Sequence, residues 1–363
     1  PAGLRLNEKT GEISGIPTAA GTATFTVKAE NSEGSDTRAL SITVNNAVEQ
    51  TPVRYLDADG KERFCTEYTV LESVIIEDFF DSDNTWYDMP AGWYVVEGDV
   101  TITPRLDTHG AVNLILKDDC HLTVPWGINV KEGDTLSLGH CTLQFIAAPS
   151  VHWPEVMMSY VPEEQVLFSA DGFGKFGVYD AGADDWACEA RRYYFNICGK
   201  YGVQVAKALG KVAALSGVKA ICPLHGPVLK DEAMQEALRL YNIWAHYEVE
   251  TPGVFIAYAS AHGGTAAAAE KMRDLLLERG CPKVAIADLC RTDMAENVED
   301  AFRYGTLLCC AASYDAGVFP AMHTFLYKLS IKAYQKRRIA LLENGSWAPC
   351  AARAMKGLIE KMK

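Results

Sequence analysis

The sequence predicts a multidomain chain in which all-β segments precede α/β segments that end in a parallel sheet. Apolar and polar residues alternate over residues 23–29 and 39–44, which is typical of strands with one buried face. From residue 253 onward, short apolar runs alternate with helical patterns, which indicates the strand–helix units of a parallel sheet. The 363 residues are enough for about two or three domains of ordinary size.

The composition argues against two classes of binding partner, nucleic acids and membranes. Hydrophobic residues make up 48% and charged residues 22%, as in a folded protein. A net charge of −13 argues against a nucleic-acid partner, because phosphate backbones attract clustered Lys and Arg. No run of about 18 apolar residues is present, so we expect no membrane partner.

The eleven cysteines do not suggest a disulfide framework. Cys222, Cys309 and Cys310 lie in apolar runs, where a free thiol behaves as a small buried hydrophobe. The odd total and irregular spacing favour reduced thiols and a cytoplasmic location for residues 130–363.

Residues 1–128 predict two all-β segments. Residues 1–46 resemble the later strands of bacterial Ig-like surface repeats, so we expect an Ig-like β fragment. Residues 50–128, with short strands closed by Gly or Asp turns, resemble a bacterial surface β-repeat. Asp57, Asp59 and Gly60 are similar to a calcium loop that lacks its later Glu, so solvated turn acids are the better interpretation. Both segments suggest the cell surface.

Three loops follow predicted parallel strands, at the edge where such sheets bind ligands. The first precedes a helix, whose amides and dipole attract an anion, and Ser260 and Thr265 can add hydroxyl hydrogen bonds. Tyr314 and Trp347, in the other two loops, offer aromatic faces for a flavin ring. The candidate cofactor-binding residues are Ser260, His262, Gly263, Gly264 and Thr265, then Ser313, Tyr314, Asp315, Ala316 and Gly317, then Asn344, Gly345, Ser346 and Trp347.

The first loop resembles the phosphate loop of the flavodoxins, although His262 and Gly264 depart from the usual residues. The resemblance implies a flavodoxin-like, FMN-binding domain over residues 252–363. Only four strand–helix units precede Lys363, so we expect this sheet to lack its fifth strand. A flavodoxin-like sheet that binds nothing is the alternative.

Residues 130–248 contain His152-Trp-Pro-Glu, Ser169-Ala-Asp171-Gly-Phe-Gly and Pro223-Leu-His225-Gly-Pro. Followed by the flavodoxin-like pattern, they resemble the A-type flavodiiron proteins, whose αββα domain is metallo-β-lactamase-like. The resemblance implies that His152, Asp171 and His225 are three ligands of a two-iron centre, with Asp171 bridging. The family's upstream His-x-Glu-x-Asp-His motif is absent from residues 1–151, where His109, His121 and His140 have no acids at that spacing. We therefore expect a partial metal domain and an incomplete diiron site.

The resemblance implies a redox function. Intact flavodiiron proteins take electrons from a rubredoxin-like or reduced-flavin donor, pass them through FMN to the irons, and reduce O2 to water or NO to N2O. The family also implies a homodimer. For this chain we expect an FMN-binding electron-transfer flavoprotein with an impaired metal centre.

Two other interpretations stay open. A surface or adhesion protein with an inactive redox fragment would be favoured by a Cys65–Cys120 disulfide or by an upstream export signal. A metal-dependent hydrolase is the third interpretation, opposed by the attached FMN pattern. The partial domains also suggest a rearranged gene or a chimeric sequence.

Overall fold

The computed structural model describes residues 2–7, 9–32, 34–44, 50–57, 60–77, 86–137, 141–177, 186–346 and 348–362. Asp59, His140 and Trp347, all named above, lie outside the described residues. The chain forms two compact units. The first is Pro1–Tyr55, Glu62–Pro104 and His109–Trp126, and the second is Leu56–Lys61, Arg105–Thr108 and Gly127–Lys363.

The chain before residue 130 is built from β-strands. The longest regular hairpin pairs β3 with β4 from Gly21 opposite Val44 to Asn31 opposite Gly34. Phe25 faces Leu40 across it, so its apolar residues share one face. The strands are β1 (Leu4–Leu6), β2 (Ile13–Gly15), β3 (Gly21–Asn31), β4 (Gly34–Val44), β5 (Val53–Leu56), β6 (Glu62–Cys65), β7 (Thr69–Val70), β8 (Trp86–Val96), β9 (Asp99–Thr101), β10 (Arg105–Leu116), β11 (His121–Thr123) and β12 (Ile128–Asn129).

A small core organises the first unit. Val53, Cys65, Val95 and Ile115 are buried together. Parallel pairing of β7 with β8 and of β9 with β11 produces the short stacked strands that the sequence indicates.

The second unit begins with a six-stranded sheet of order β13-β14-β15-β16-β17-β18, in which only β16 and β17 pair in parallel. Its residues Ile146, Tyr160, Leu167 and Ile221 alternate toward one face and belong to the main core. The elements are β13 (Thr135–Ser137), β14 (Thr142–Ala147), β15 (Met157–Val161), β16 (Val166–Phe168), α1 (Trp186–Ile197), α2 (Gly202–Ala213), β17 (Ala220–Cys222), β18 (Leu229–Lys230) and α3 (Asp231–Ala245).

A parallel sheet of order β20-β19-β21-β23 completes the second unit. Its four parallel strands lie at the four predicted apolar runs, and β22 adds a short antiparallel pair. Phe255 and Leu307 are buried on one face and Ile256 and Leu308 on the other, as expected for strands covered on both faces. The elements are β19 (Thr251–Ala259), α4 (Gly264–Glu278), β20 (Val284–Asp288), α5 (Met294–Arg303), β21 (Tyr304–Tyr314), β22 (Gly317–Val318), α6 (Pro320–Ser330), β23 (Arg338–Asn344) and α7 (Ala351–Ile359).

Two of the three cysteines predicted to be buried are buried. Cys309 and Cys310 are fully buried, whereas Cys222 is half-buried. Cys65 and Cys120 are both free thiols, so the disulfide that would favour a surface protein is not formed. No helix within the described ranges has both the length and the apolar character needed to cross a bilayer.

Candidate functional site

The first candidate loop joins β19 to α4 at the carboxyl edge of the parallel sheet. Gly263 precedes the helix with a φ of +86°, a left-handed conformation that glycine adopts without strain. Its N–H donates a hydrogen bond to Ser260 Oγ over 3.1 Å. No described side chain caps α4, so the amides of its first turn are left to bind an anion. His262 and Gly264 are exposed on this loop.

Thr265 connects this loop to the end of β23. Its side chain is buried, and Asn344 Nδ2 lies 3.5 Å from Thr265 Oγ1. Gly264 packs on the same amide, because a Cβ there would lie 3.4 Å from Asn344 Nδ2. The loops after the first and fourth parallel strands therefore meet, as the shared edge of the sheet requires.

The loop after β21 is fixed by the start of α7. Ser313 Oγ accepts hydrogen bonds from the backbone N–H groups of Cys350, over 2.8 Å, and Ala351, over 3.1 Å. Gly345 lies against the same hydroxyl, since a Cβ there would be 3.0 Å from Ser313 Oγ. Ser313 thus joins the second and third loops by capping a helix, a role that the sequence did not indicate. Ser346 is exposed beside this contact.

Tyr314 to Gly317 form a tight turn between β21 and β22. Asp315 has a φ of +45° and Ala316 a φ of +55°. Such left-handed conformations cost non-glycine residues about 1 kcal/mol or more each, and they persist only where the surroundings hold them. Tyr314 is 48% exposed and meets Phe319 edge-on at 5.5 Å, which leaves a ring face open for a planar group.

Cys290 is a neighbour of this site that the sequence analysis missed. It follows β20 at the same sheet edge, and the backbone of Ser260 is close enough to influence its thiol. Its own N–H donates to Asp288 Oδ1 over 3.0 Å. Burial raises the pKa of the Cys290 thiol, and the charge of Asp288 adds to this. Its position directly after a predicted parallel strand could have indicated that it lies near the other three loops.

The second candidate site brings together His152, Asp171 and His225. His152 Nε2 lies 3.1 Å from Asp171 Oδ2, and His225 Nε2 lies 3.8 Å from Asp171 Oδ1. Each carboxylate oxygen therefore faces a different imidazole. All three side chains are only partly buried, so the site is accessible from solvent.

A strained loop positions Asp171. Ala170 and Phe173 have φ values of +51° and +67°. The Ser169 hydroxyl donates to the Gly172 carbonyl over 2.6 Å, and the Phe173 N–H donates to the hydroxyl of buried Tyr241 over 2.7 Å. Because these internal bonds fix the loop, the carboxylate is held in place before any ligand arrives.

His225 is oriented by its other ring nitrogen. Nδ1 lies 2.8 Å from the Lys175 carbonyl, which can only accept, so Nδ1 carries the proton. In the neutral ring, Nε2 then presents a lone pair toward Asp171, as in a metal-binding histidine. Gly174 makes room for this ring, because a Cβ there would lie 2.3 Å from His225 Cε1. A metal cation or a proton on Nε2 would satisfy both groups.

Tyr193 covers one side of the site. Its ring meets His225 edge-on at 4.6 Å, and its buried hydroxyl has no hydrogen-bond partner within the described chain. Burial raises the pKa of Tyr193, and it raises the pKa of the Cys198 thiol to about 12, with a contribution from the Asp171 charge in both cases. Both groups are therefore neutral near pH 7.

Comparison with known proteins finds one matching family model and several similar proteins. Residues 1–45 match the family described as Putative Ig domain. The nitric oxide reductase of Moorella thermoacetica is 32% identical over 183 residues, which cover 47% of this chain and 45% of that protein. The anaerobic nitric oxide reductase flavorubredoxin of Aeromonas salmonicida is 28% identical over 257 residues, which cover 68% of this chain and 48% of that protein.

A solved structure agrees with these relatives. A flavodiiron protein from Thermotoga maritima superposes with a TM-score of 0.56 at 25% identity, covering 66% of this chain and 60% of that one. The chain spans about half the length of the curated relatives that it matches. About two thirds of the chain is therefore similar to flavodiiron proteins.

Proposed function

We propose that this chain is an FMN-binding electron-transfer flavoprotein of flavodiiron type whose diiron site is incomplete. The observation that carries the proposal is the meeting of three loops at one edge of the parallel sheet. Asn344 contacts Thr265, and Gly345 contacts Ser313, so the loops after β19, β21 and β23 form one surface around the start of α4.

The residues present fit FMN. The amides at the start of α4, with the hydroxyls of Ser260 and Thr265, would hold the phosphate, since the helix terminus there is uncapped by any described side chain. The exposed Tyr314 ring would stack on the flavin, and the Asp315–Ala316 turn would approach it with backbone atoms. Trp347, outside the described residues, stays the second candidate for an aromatic contact with the flavin. FMN, when bound, supplies reversible redox chemistry.

The second site has too few donors for two ions, and its three ligand atoms are not all within 4.8 Å of one another, so binding one ion requires the imidazoles to move closer together. Two imidazoles and a carboxylate suit iron or zinc. Two ions about 3.5–4 Å apart need more donors than the three side chains gathered here. The sequence lacks the family's upstream ligand motif. We therefore propose that Asp171 and the two histidines bind a single metal, and that full reduction of O2 or NO is impaired.

The remaining parts of the proposal rest on the relatives. The name of the Aeromonas relative, a flavorubredoxin, supports a rubredoxin-like donor, and a reduced flavin is the alternative donor. A homodimer is proposed from the family. We also propose the domain boundaries 1–46, 50–128, 130–248 and 252–363, with a cytoplasmic location for the last two.

An FMN titration of the purified chain tests the proposal. We expect saturable one-to-one quenching of flavin fluorescence that weakens at least about tenfold in Ser260→Ala or Thr265→Ala, because each removes a phosphate hydrogen bond. Thr324→Ala, at an exposed position of α6, is the matched control and should bind as the unchanged chain does. Equal affinity in all four proteins would overturn the FMN site. Metal analysis after iron loading should give at most one ion per chain, and two would contradict the incomplete site.

A surface β-module with an inactive redox fragment is the second candidate function. The match of residues 1–45 to an Ig family favours it. Failure of both FMN and metal binding in a folded chain would make it the leading proposal.

A further inference from the structure

A cleft of about 680 Å³ opens at the amino-terminal edge of the parallel sheet, the edge opposite the proposed FMN loops. It is lined by the starts of β19, β21 and β23 and by the turn before β20. Pockets of this volume commonly hold small organic ligands, for which a range of roughly 300–1,000 Å³ is typical. The proposed function leaves this cleft without a role.

A β-bulge shapes the floor of the cleft. Thr251 pairs with Tyr304, but the next pair is Val254 with Thr306, so two residues of β19 oppose the single Gly305 of β21. Bulges of this kind interrupt the ladder and often occur beside functional sites. Gly305 lets Val249 pack closely, since a Cβ there would lie 3.4 Å from Val249 Cγ1, and the walls, which include Val249 and Pro282, are apolar.

Three consecutive cations, Lys336, Arg337 and Arg338, line the other side. Within the described chain, no ion pair joins any of them to a carboxylate, although the chain carries a net charge of −13. Lys336 Nζ donates to the His246 carbonyl over 2.9 Å. The cleft therefore concentrates positive charge in an acidic protein.

Arg337 makes this charge permanent. Its guanidinium is held by carbonyl oxygens, including that of Tyr247 over 2.6 Å and that of Glu248 over 2.8 Å. Burial lowers its pKa, since desolvation disfavours the charged form, but an arginine so placed stays protonated. Neutral carbonyls do not cancel the positive charge, and the nearby Glu250 carboxylate is already paired with Arg191, so an anion in the cleft would be attracted to Arg337.

We propose that this cleft binds a phosphate monoester of about mononucleotide size, with its phosphate between Lys336 and Arg338 and its organic part against the apolar wall. A phosphate monoester carries a charge of about −1.5 to −2 near pH 7, which two cations at the rim match. The inference is independent of the FMN proposal, because the two sites lie at opposite ends of the same strands.

Cysteine alkylation distinguishes the two edges. Cys281 lines the cleft, whereas the exposed Cys290 lies beside the carboxyl-edge loops. With AMP as the probe at ten times its dissociation constant, the cleft would be open for about one-eleventh of the time, so alkylation of Cys281 should slow about tenfold. The rate at Cys290, resolved by peptide mass spectrometry, should not change. Protection of Cys290 instead would place AMP at the FMN loops and overturn the proposal, and so would no protection at either thiol.

Matched variants test the cations. We expect Lys336→Gln and Arg338→Gln each to weaken AMP binding about tenfold, since each removes one charge-assisted contact. Lys271→Gln, on an exposed position of α4, makes the same charge change elsewhere and should bind AMP normally. Equal weakening in all three would show only general charge attraction and contradict the site. Thermal unfolding shows whether each variant is folded. If Lys336→Gln does not fold, the result for Arg338→Gln, a change at an exposed position, decides the test.

Discussion

Arg191 and Glu250 form a two-pronged ion pair inside the second unit, with Arg191 Nε 2.8 Å from Oε2 and Nη2 2.7 Å from Oε1 of Glu250. Arg191 Nη1 also donates to Glu299 Oε2 over 2.8 Å. The guanidinium is 1% exposed. Because Arg191 lies on α1 and Glu299 on α5, one side chain ties the antiparallel-sheet part to the parallel-sheet part.

Removing this arginine should strongly destabilise the second unit. Arg191→Met takes the nearest cation from two buried carboxylates and leaves Glu250 with the Trp244 indole N–H and the more distant Arg303. Removing one partner of a buried pair typically costs about 3–5 kcal/mol. Arg239→Met is the control, because Arg239 pairs with Glu236 at the surface and should contribute less than about 1 kcal/mol. Urea unfolding at pH 8, followed by tryptophan fluorescence, measures both. Similar losses in the two variants would show that the buried pair does not hold the parts together.

Glu299 should make stability depend on pH. Burial raises the pKa of this carboxyl from 4.5 to about 7, and the Arg191 charge opposes that rise only in part. The folded state therefore binds this proton more tightly than the unfolded state does. The stabilisation that results is fully present below pH 4.5 and is lost as the pH rises to about 7. The free energy of unfolding, taken relative to Glu299→Gln, should fall over this window by up to about 3 kcal/mol. Urea titrations at three pH values test this, and a constant difference would contradict it.

Ser313→Ala should loosen the proposed FMN surface. The change removes the acceptor for two amides at the start of α7, which costs about 1 kcal/mol in a typical helix cap. If the FMN-bound state alone loses this stabilisation, FMN binds about fivefold more weakly. Ser330→Ala, whose hydroxyl only donates to the Tyr327 carbonyl at the end of α6, serves as the control. Thermal unfolding and flavin fluorescence give the two readouts, and unchanged FMN affinity would refute the positioning role.

Gly174→Ala should damage the metal site without touching a proposed ligand. A Cβ at this position would lie 2.3 Å from His225 Cε1, so the imidazole must move away from Asp171. Displacing a ligand through its neighbours typically costs about 10–100-fold in metal affinity. Gly210→Ala in α2 meets nothing within 4 Å, so it should keep its metal affinity. Cobalt(II) absorption titrations compare the variants, and equal affinities would argue against this site.

The parallel sheet was the most predictable part of the fold. Its strands are local apolar runs, such as the one that contains Cys309 and Cys310, and each is followed by a helix with its own periodicity. The contacts between loops were less predictable. Asn344 and Thr265 meet only because parallel strands share an edge, and the sequence cannot show that Ser313 would cap α7 rather than face a ligand.

The grouping of the metal ligands and the burial of charged residues could not be predicted from local sequence. His152, Asp171 and His225 are far apart in the sequence, and family resemblance alone suggested grouping them before the structure brought them together. Glu250 and Glu299 look like ordinary surface acids in a helix-rich stretch, and nothing local indicates burial against Arg191. The amino-edge cleft depends on a bulge, which no composition or period signals.

The small space beside His225 has an evolutionary consequence. An alanine at position 174 is one base change from glycine, and it would leave the sheets and helices intact while displacing the imidazole. Mutation would therefore introduce alanine here readily in any lineage that no longer depends on the metal. A change from glycine to alanine at position 174 is therefore one of the substitutions expected in gene copies that no longer bind a metal here.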